Sequence, residues 1–146
     1  MQRNSKKNHN FTTKIATFNV QGGLNSQFQR ELLYQDMEKF KINVICLQEM
    51  KLNEDLTLIN RNSQAVYGFK SRNINPHRNY SMGFIISERW TNYLVEDPKY
   101  INDRICKATF NIPGKFGRNI KVVILNVYAP TMQISNTNNR EAEDFY

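Results

Sequence analysis

Ile15-Ala-Thr-Phe-Asn-Val20 and, twenty-one residues later, Ile42-Asn-Val-Ile-Cys-Leu47 establish the architecture of this chain. The first is short, rich in β-formers, and runs into Gly22-Gly23, a turn signal. The second is almost continuously apolar and of strand length, the pattern of a central strand covered on both faces. Between them Ser26 and Gln29 make a capping-box pattern, and Phe28, Leu32, Leu33, Met37 and Phe40 recur at helical spacing. Strand, helix, strand in about 35 residues is a βαβ unit, so the two strands are expected to be parallel.

Downstream the pattern changes. Residues 65–70, 81–87, 93–95, 105–112 and 120–127 read as strands, separated by turn-rich stretches such as Asn73-Ile-Asn-Pro76 and Pro113-Gly-Lys-Phe-Gly117. Consecutive strands with short loops favour antiparallel pairing. The expected fold class is therefore α/β, a βαβ start followed by antiparallel strands. The last strand, 120–127, reads as a central one. Residues 1–13 are polar and basic and are expected to be a disordered tail. Near the other end Asn138 is placed to cap a short helix with Ala142, Phe145 and Tyr146 on one face, and the cover for the last strand is not evident. Residues 14–146 are accordingly expected to be part of a larger domain.

The chain has 146 residues and a formal charge of +7, with 40% hydrophobic and 12% aromatic residues. That is enough for a core and rules out a wholly disordered chain. No apolar run approaches the roughly 20 residues of a membrane helix. The first fourteen residues contain no apolar segment of the kind a signal peptide needs, so the nucleus or cytoplasm is expected and secretion is not. Cys46 and Cys106 each sit in an apolar run and read as buried thiols; two His, His9 and His77, in polar segments make a structural zinc site untenable. The charge is uneven. Arg3, Lys6, Lys7 and Lys14 open the chain without an acid, and Arg104, Lys107, Lys115, Arg118 and Lys121 follow one another without an acid. Such a surface attracts phosphate polyanions, and equally serves solubility alone.

Three strand ends carry polar groups directly after apolar runs: Phe18-Asn-Val-Gln-Gly22, Cys46-Leu-Gln-Glu-Met-Lys51 and Asn126-Val-Tyr-Ala-Pro-Thr131. Ligands gather at such ends in open sheets. Glu49 suits a hard cation, since Mg²⁺ often takes one or two carboxylates and completes its shell with water and phosphate oxygens. Lys51 beside it suits a phosphate. Each residue also has a plainer reading: Glu49 as a solvated or helix-capping acid, Asn19 as a turn residue, Tyr128 as a core-edge aromatic, Arg104 as a surface strand residue. No Ser-His-Asp or Cys-His arrangement is present, and Gly22-Gly23 is too little for a phosphate loop.

In order, Ile15-Ala-Thr-Phe-Asn-Val-Gln-Gly22, Leu24-Asn-Ser26, Val44-Ile-Cys-Leu-Gln-Glu-Met-Lys51, Met82-Gly-Phe-Ile-Ile86 and Val123-Ile-Leu-Asn-Val-Tyr-Ala-Pro-Thr131 resemble the N-terminal half of the endonuclease/exonuclease/phosphatase superfamily. Within that DNase I-like group the likeness is nearest to the apurinic endonuclease-like domains of LINE-type retrotransposons. The resemblance spans about residues 14 to 146. It implies a DNase I-like α/β sandwich and Mg²⁺-dependent hydrolysis of DNA phosphodiesters. It also implies roles. Glu49 corresponds to the metal-binding glutamate, Asn19 to the first-strand asparagine that helps hold the metal or the attacking water, and Tyr128 to the catalytic tyrosine that contacts the scissile phosphate. Lys51, Arg104 and Thr131 correspond to positions lining the DNA groove.

The departures are specific. Met50 stands where a small hydroxyl residue is usual, Gln21 where some members have an acid, and Gly22-Gly23 has an extra glycine. The later Gly-Asp-x-Asn segment and the terminal Asp-His pair do not occur in these 146 residues. A truncated, inactive copy of an endonuclease is therefore expected. The alternatives are a non-catalytic nucleic-acid-binding fragment and a phosphoesterase of the same fold acting on a lipid or small phosphate ester.

Overall fold

The computed structural model describes residues 12–73 and 80–130. Strand β1 (Ile15–Asn19) leads into helix α1 (Gln27–Phe40), then β2 (Val44–Gln48), β3 (Leu56–Ile59), β4 (Ala65–Phe69) and β5 (Met82–Ile86). A single helical turn, α2 (Glu88–Thr91), precedes β6 (Lys99–Asn102), β7 (Ile105–Pro113) and β8 (Asn119–Val127). A 3₁₀ turn at Lys115–Gly117 joins the last two.

These strands form two sheets. One has five strands in the order β1-β2-β5-β4-β3, the other three in the order β6-β7-β8. Only β1 and β2 are parallel, in register Asn19↔Gln48, as a βαβ unit requires; every other pair is antiparallel. The class is mixed α/β. Among the described residues no helix is long and apolar enough to cross a membrane.

Alternation along the strands builds two core layers. Val44, Cys46, Tyr67, Phe84, Ile86, Cys106, Phe110 and Ile124 meet between the sheets, with Trp90 of α2 edge-on to Phe110 at 4.8 Å. Ile45, Leu47, Val66 and Ile85 face the other way, under α1. β2 and β5 are buried on both faces, as a central strand must be. Both cysteines are buried free thiols.

α1 starts where its cap specifies: the Gln29 amide donates to Ser26 Oγ at 3.2 Å, and the Ser26 hydroxyl donates to Gln29 Oε1 at 3.0 Å. It ends at Lys41, in the left-handed region at φ 56°. Its packing differs from the expected stripe. Phe28, Leu32 and Phe40 are exposed, Phe28 by 72%, while Tyr34 and Met37 are buried and Leu33 half-buried. The helix residues that meet the sheet are Leu33, Tyr34 and Met37, a set in which a tyrosine ring does apolar duty.

Other expectations also shift. Residues 93–95 contribute only an isolated bridge, Leu94↔Phe110, and β3 and β6 form in stretches to which the sequence reading assigns no element. β8 is not central among the described residues: it pairs with β7 alone, and its outer residues Val123, Leu125 and Val127 are exposed. On β7, by contrast, Cys106, Ala108, Phe110 and Ile112 are buried. The tail residues 1–11 and the candidate helix after Asn138 lie outside the described residues.

Candidate active site at the strand ends

The parallel pairing of β1 and β2 carries both strands out of the sheet side by side. Two backbone bonds extend the ladder past its end: Val20 N–H to Gln48 O at 3.0 Å and Gly22 N–H to Glu49 O at 2.7 Å. Here the backbone turns left-handed four times, at Gln21 (φ 45°), Gly22 (φ 81°), Glu49 (φ 53°) and Lys51 (φ 53°). For a non-glycine residue this conformation costs on the order of 1–3 kcal/mol, and such residues cluster at functional sites. The turn at Glu49 sends Met50 into the core while the carboxylate stays at the surface.

Asn19 Nδ2 donates to Glu49 Oε1 at 2.9 Å, and the Tyr128 hydroxyl donates to the same oxygen at 2.5 Å. Three elements far apart in sequence thus meet on one carboxylate. Both bonds end on Oε1 and neither engages Oε2. Asn19 Oδ1 accepts from the Gln21 amide at 3.1 Å, so the amide is clamped at both ends. The phenol, then the Asn19 amide, hold the Glu49 carboxyl below the usual glutamate range. Burial, followed by the bond to Glu49, pushes the Tyr128 phenol up to about 12. The two shifts agree: one hydrogen bond favours an ionised carboxylate and a protonated phenol.

Arg104 stands beside this group. Its guanidinium lies 4.2 Å from the Tyr80 ring and 5.7 Å from the Tyr128 ring, and Nη1 donates to Tyr128 O at 3.1 Å. Tyr80 and Tyr128 are themselves 5.7 Å apart, a tilted aromatic pair. Lys51 is exposed on the other flank. Its stem crosses Gly22, where an added Cβ would lie 3.1 Å from Lys51 Cδ. Positive side chains therefore flank the carboxylate on both sides.

Met50 is fully buried beside two glycines. A Cβ on Gly68 would come within 3.1 Å of Met50 Cε, and one on Gly83 within 2.9 Å of Met50 Sδ. These glycines are register partners on β4 and β5, so the sheet leaves room for the larger side chain.

Of the residues singled out from sequence, the structure brings Asn19, Glu49, Tyr128, Lys51 and Arg104 to one end of the sandwich; Thr131, His9 and His77 lie outside the described residues. Sequence reading missed Tyr80, and it assigned nothing to Gln48 and Asn126, buried polar residues directly behind the site. The signal for those two was present: an amide on the inward parity of an apolar strand must be paired. Among the described residues no group of three or more His, Cys, Asp or Glu could hold a metal. Comparison of the chain with protein-family models and with curated proteins found no match.

Proposed function

We propose that the Glu49 site binds Mg²⁺ together with a DNA phosphodiester, as the N-terminal part of a DNase I-like endonuclease site. The observation that carries this reading is the meeting of Glu49, Asn19 and Tyr128 from β1, β2 and β8 at one strand end, flanked by Lys51 and Arg104. The donor set suits Mg²⁺, which needs only one or two protein carboxylates. Glu49 would hold the ion through Oε2. Asn19, whose oxygen is engaged by Gln21, would orient the carboxylate rather than ligate. When bound, the ion stabilises charge on phosphate oxygens and lowers the pKa of bound water.

The chain's own groups supply binding and orientation. The Tyr128 phenol, protonated across the physiological range, is a donor suited to a phosphate oxygen once it turns from Glu49. Arg104 and Lys51 attract the backbone charge. A group to take the proton from water is a different matter: the Asp-His pair of active relatives is not in this sequence. We assign the 146 residues cation and DNA binding without cleavage.

The test is a Mg²⁺ titration followed by NMR at Glu49 and Asn19. Saturable shifts at both residues are expected, lost in Glu49→Gln. Identical titrations in the wild-type and Glu49→Gln proteins would remove the cation from this site.

A further inference from the structure

Behind the Glu49 site a chain of buried amides crosses the layer between the two sheets. Asn126 of β8 is 2% exposed, and its side chain makes three hydrogen bonds to the larger sheet. Nδ2 donates to Leu47 O at 2.9 Å and to Gly83 O at 2.8 Å, and Oδ1 accepts from Gln48 Nε2 at 2.7 Å. Gln48 Nε2 also donates to Thr17 Oγ1 at 2.9 Å. β8 of one sheet is thereby bonded to β5 and β2 of the other, and through Gln48 to β1.

The remaining inter-sheet contacts in this layer are mostly apolar, and apolar contact is non-directional. Hydrogen bonds are steeply sensitive to distance and angle. Leu47 and Gly83 are register partners, so a side chain bonded to both of their carbonyls fixes β8 over one rung of the larger sheet. Glu49 is two residues past that rung on β2. Tyr128 is two residues past Asn126 on β8, on the same face. The fixed rung brings the phenol to the carboxylate.

We propose that Asn126, acting through Gln48 and the Leu47–Gly83 rung, is a positioning residue that locks the relative placement of the two sheets and so holds Tyr128 on Glu49. Its consequence for Mg²⁺ rests on the function proposed above; the positioning itself does not. Asn126→Leu keeps the volume and removes the bonds. Gln48→Met keeps Asn126 on its two carbonyls but removes the amide bridge, and it decides the question should Asn126→Leu not fold. Ile124→Val trims the same layer of the same strand without touching the bridge and controls for lost stability.

The readout is the Tyr128 ¹³Cζ shift at neutral pH, assigned with Tyr128→Phe, with Glu49→Ala marking its position when the carboxylate is gone. Asn126→Leu is expected to move the resonance to the Glu49→Ala position and to weaken Mg²⁺ about tenfold, in the range of outer-shell effects, and Gln48→Met, which leaves the two carbonyl bonds in place, to move it part of the way. Ile124→Val should leave both unchanged. A Tyr128 resonance at its wild-type position in folded Asn126→Leu or Gln48→Met, or an equal shift in Ile124→Val, would overturn the inference. A moved resonance in a protein whose wild type shows no Mg²⁺ response would uphold the positioning role and defeat the cation site instead.

Discussion

Glu49 is the residue on which the local chemistry converges, and its ionisation is tied to Tyr128. The folded carboxyl is held below the ordinary glutamate value, about 4.3, first by the phenol. Its stabilisation is therefore fully present above that value and is lost as pH falls through the folded one. Tyr128→Phe should cost at most about 1 kcal/mol at pH 7, because the carboxylate is largely open to solvent. Urea melts of the two proteins should converge at acid pH, where the carboxyl is protonated in both; a gap that persists there would show that the ring's packing, not the bond, matters. The buried thiols act at the other limb. Burial pushes Cys46 from 9.0 up to about 11 and Cys106 up to about 12. Raised folded values mean stability present below about 9 and lost as pH climbs towards 11–12. At pH 8.5 a thiol reagent should react no faster than the protein unfolds; rapid reaction would place a sulfur at the surface.

At the scale of the element, β8 is the strand with a liability. It is nine residues long, its outer face carries Val123, Leu125 and Val127, and among the described residues it pairs only with β7. Long apolar edges associate. Sedimentation velocity should show concentration-dependent association, reduced in a Val123→Glu, Leu125→Glu double variant. Leu125 lies opposite Lys107 across the ladder, so a glutamate there gains an opposite-charge pair and the fold should be kept. An unchanged sedimentation profile in the variant would move the association elsewhere. α1 teaches the complementary lesson. Its cap was legible in Ser26 and Gln29, because capping depends on residues three apart. Its buried face was legible only in part: Leu33 and Met37 of the expected stripe do turn to the sheet, while Phe28, Leu32 and Phe40 stay exposed and Tyr34 is buried in their stead.

For the molecule as a whole, net charge and the proposed function lead to separate predictions. With a formal charge of +7 the folded chain should retain duplex DNA at low salt and release it steeply as salt rises. Retention that does not vary with salt, or no retention at low salt, would count against a phosphate-backbone partner. On the function proposed above, plasmid nicking in Mg²⁺ should be absent, since general-base assistance, typically worth ~10²–10⁴-fold, comes in the family the sequence resembles from an Asp-His pair that does not occur in these 146 residues. On the same proposal, addition of the Gly-Asp-x-Asn and Asp-His half of a DNase I-like endonuclease should restore nicking, and Glu49→Gln should abolish it again. Nicking by the bare 146 residues that survives Glu49→Gln would refute the site.

The sequence by itself determined the βαβ start, the double burial of β2, the run of antiparallel strands and the burial of both cysteines. Each of these follows from local period, turn chemistry or hydrophobicity, which neighbouring residues carry among themselves. It also pointed to Asn19, Glu49 and Tyr128, because a polar group straight after an apolar strand must emerge at the strand's end. Tertiary structure alone decided that β2 pairs antiparallel with β5, with β4 and β3 beyond it, that β8 stops at an edge among the described residues, and that Tyr80 stacks on Arg104. It alone decided that Asn126 is spent on Leu47, Gly83 and Gln48. Those are matters of which surfaces meet across tens of residues, and a buried amide takes its partners from the strand packed against it, not from its neighbours in the chain.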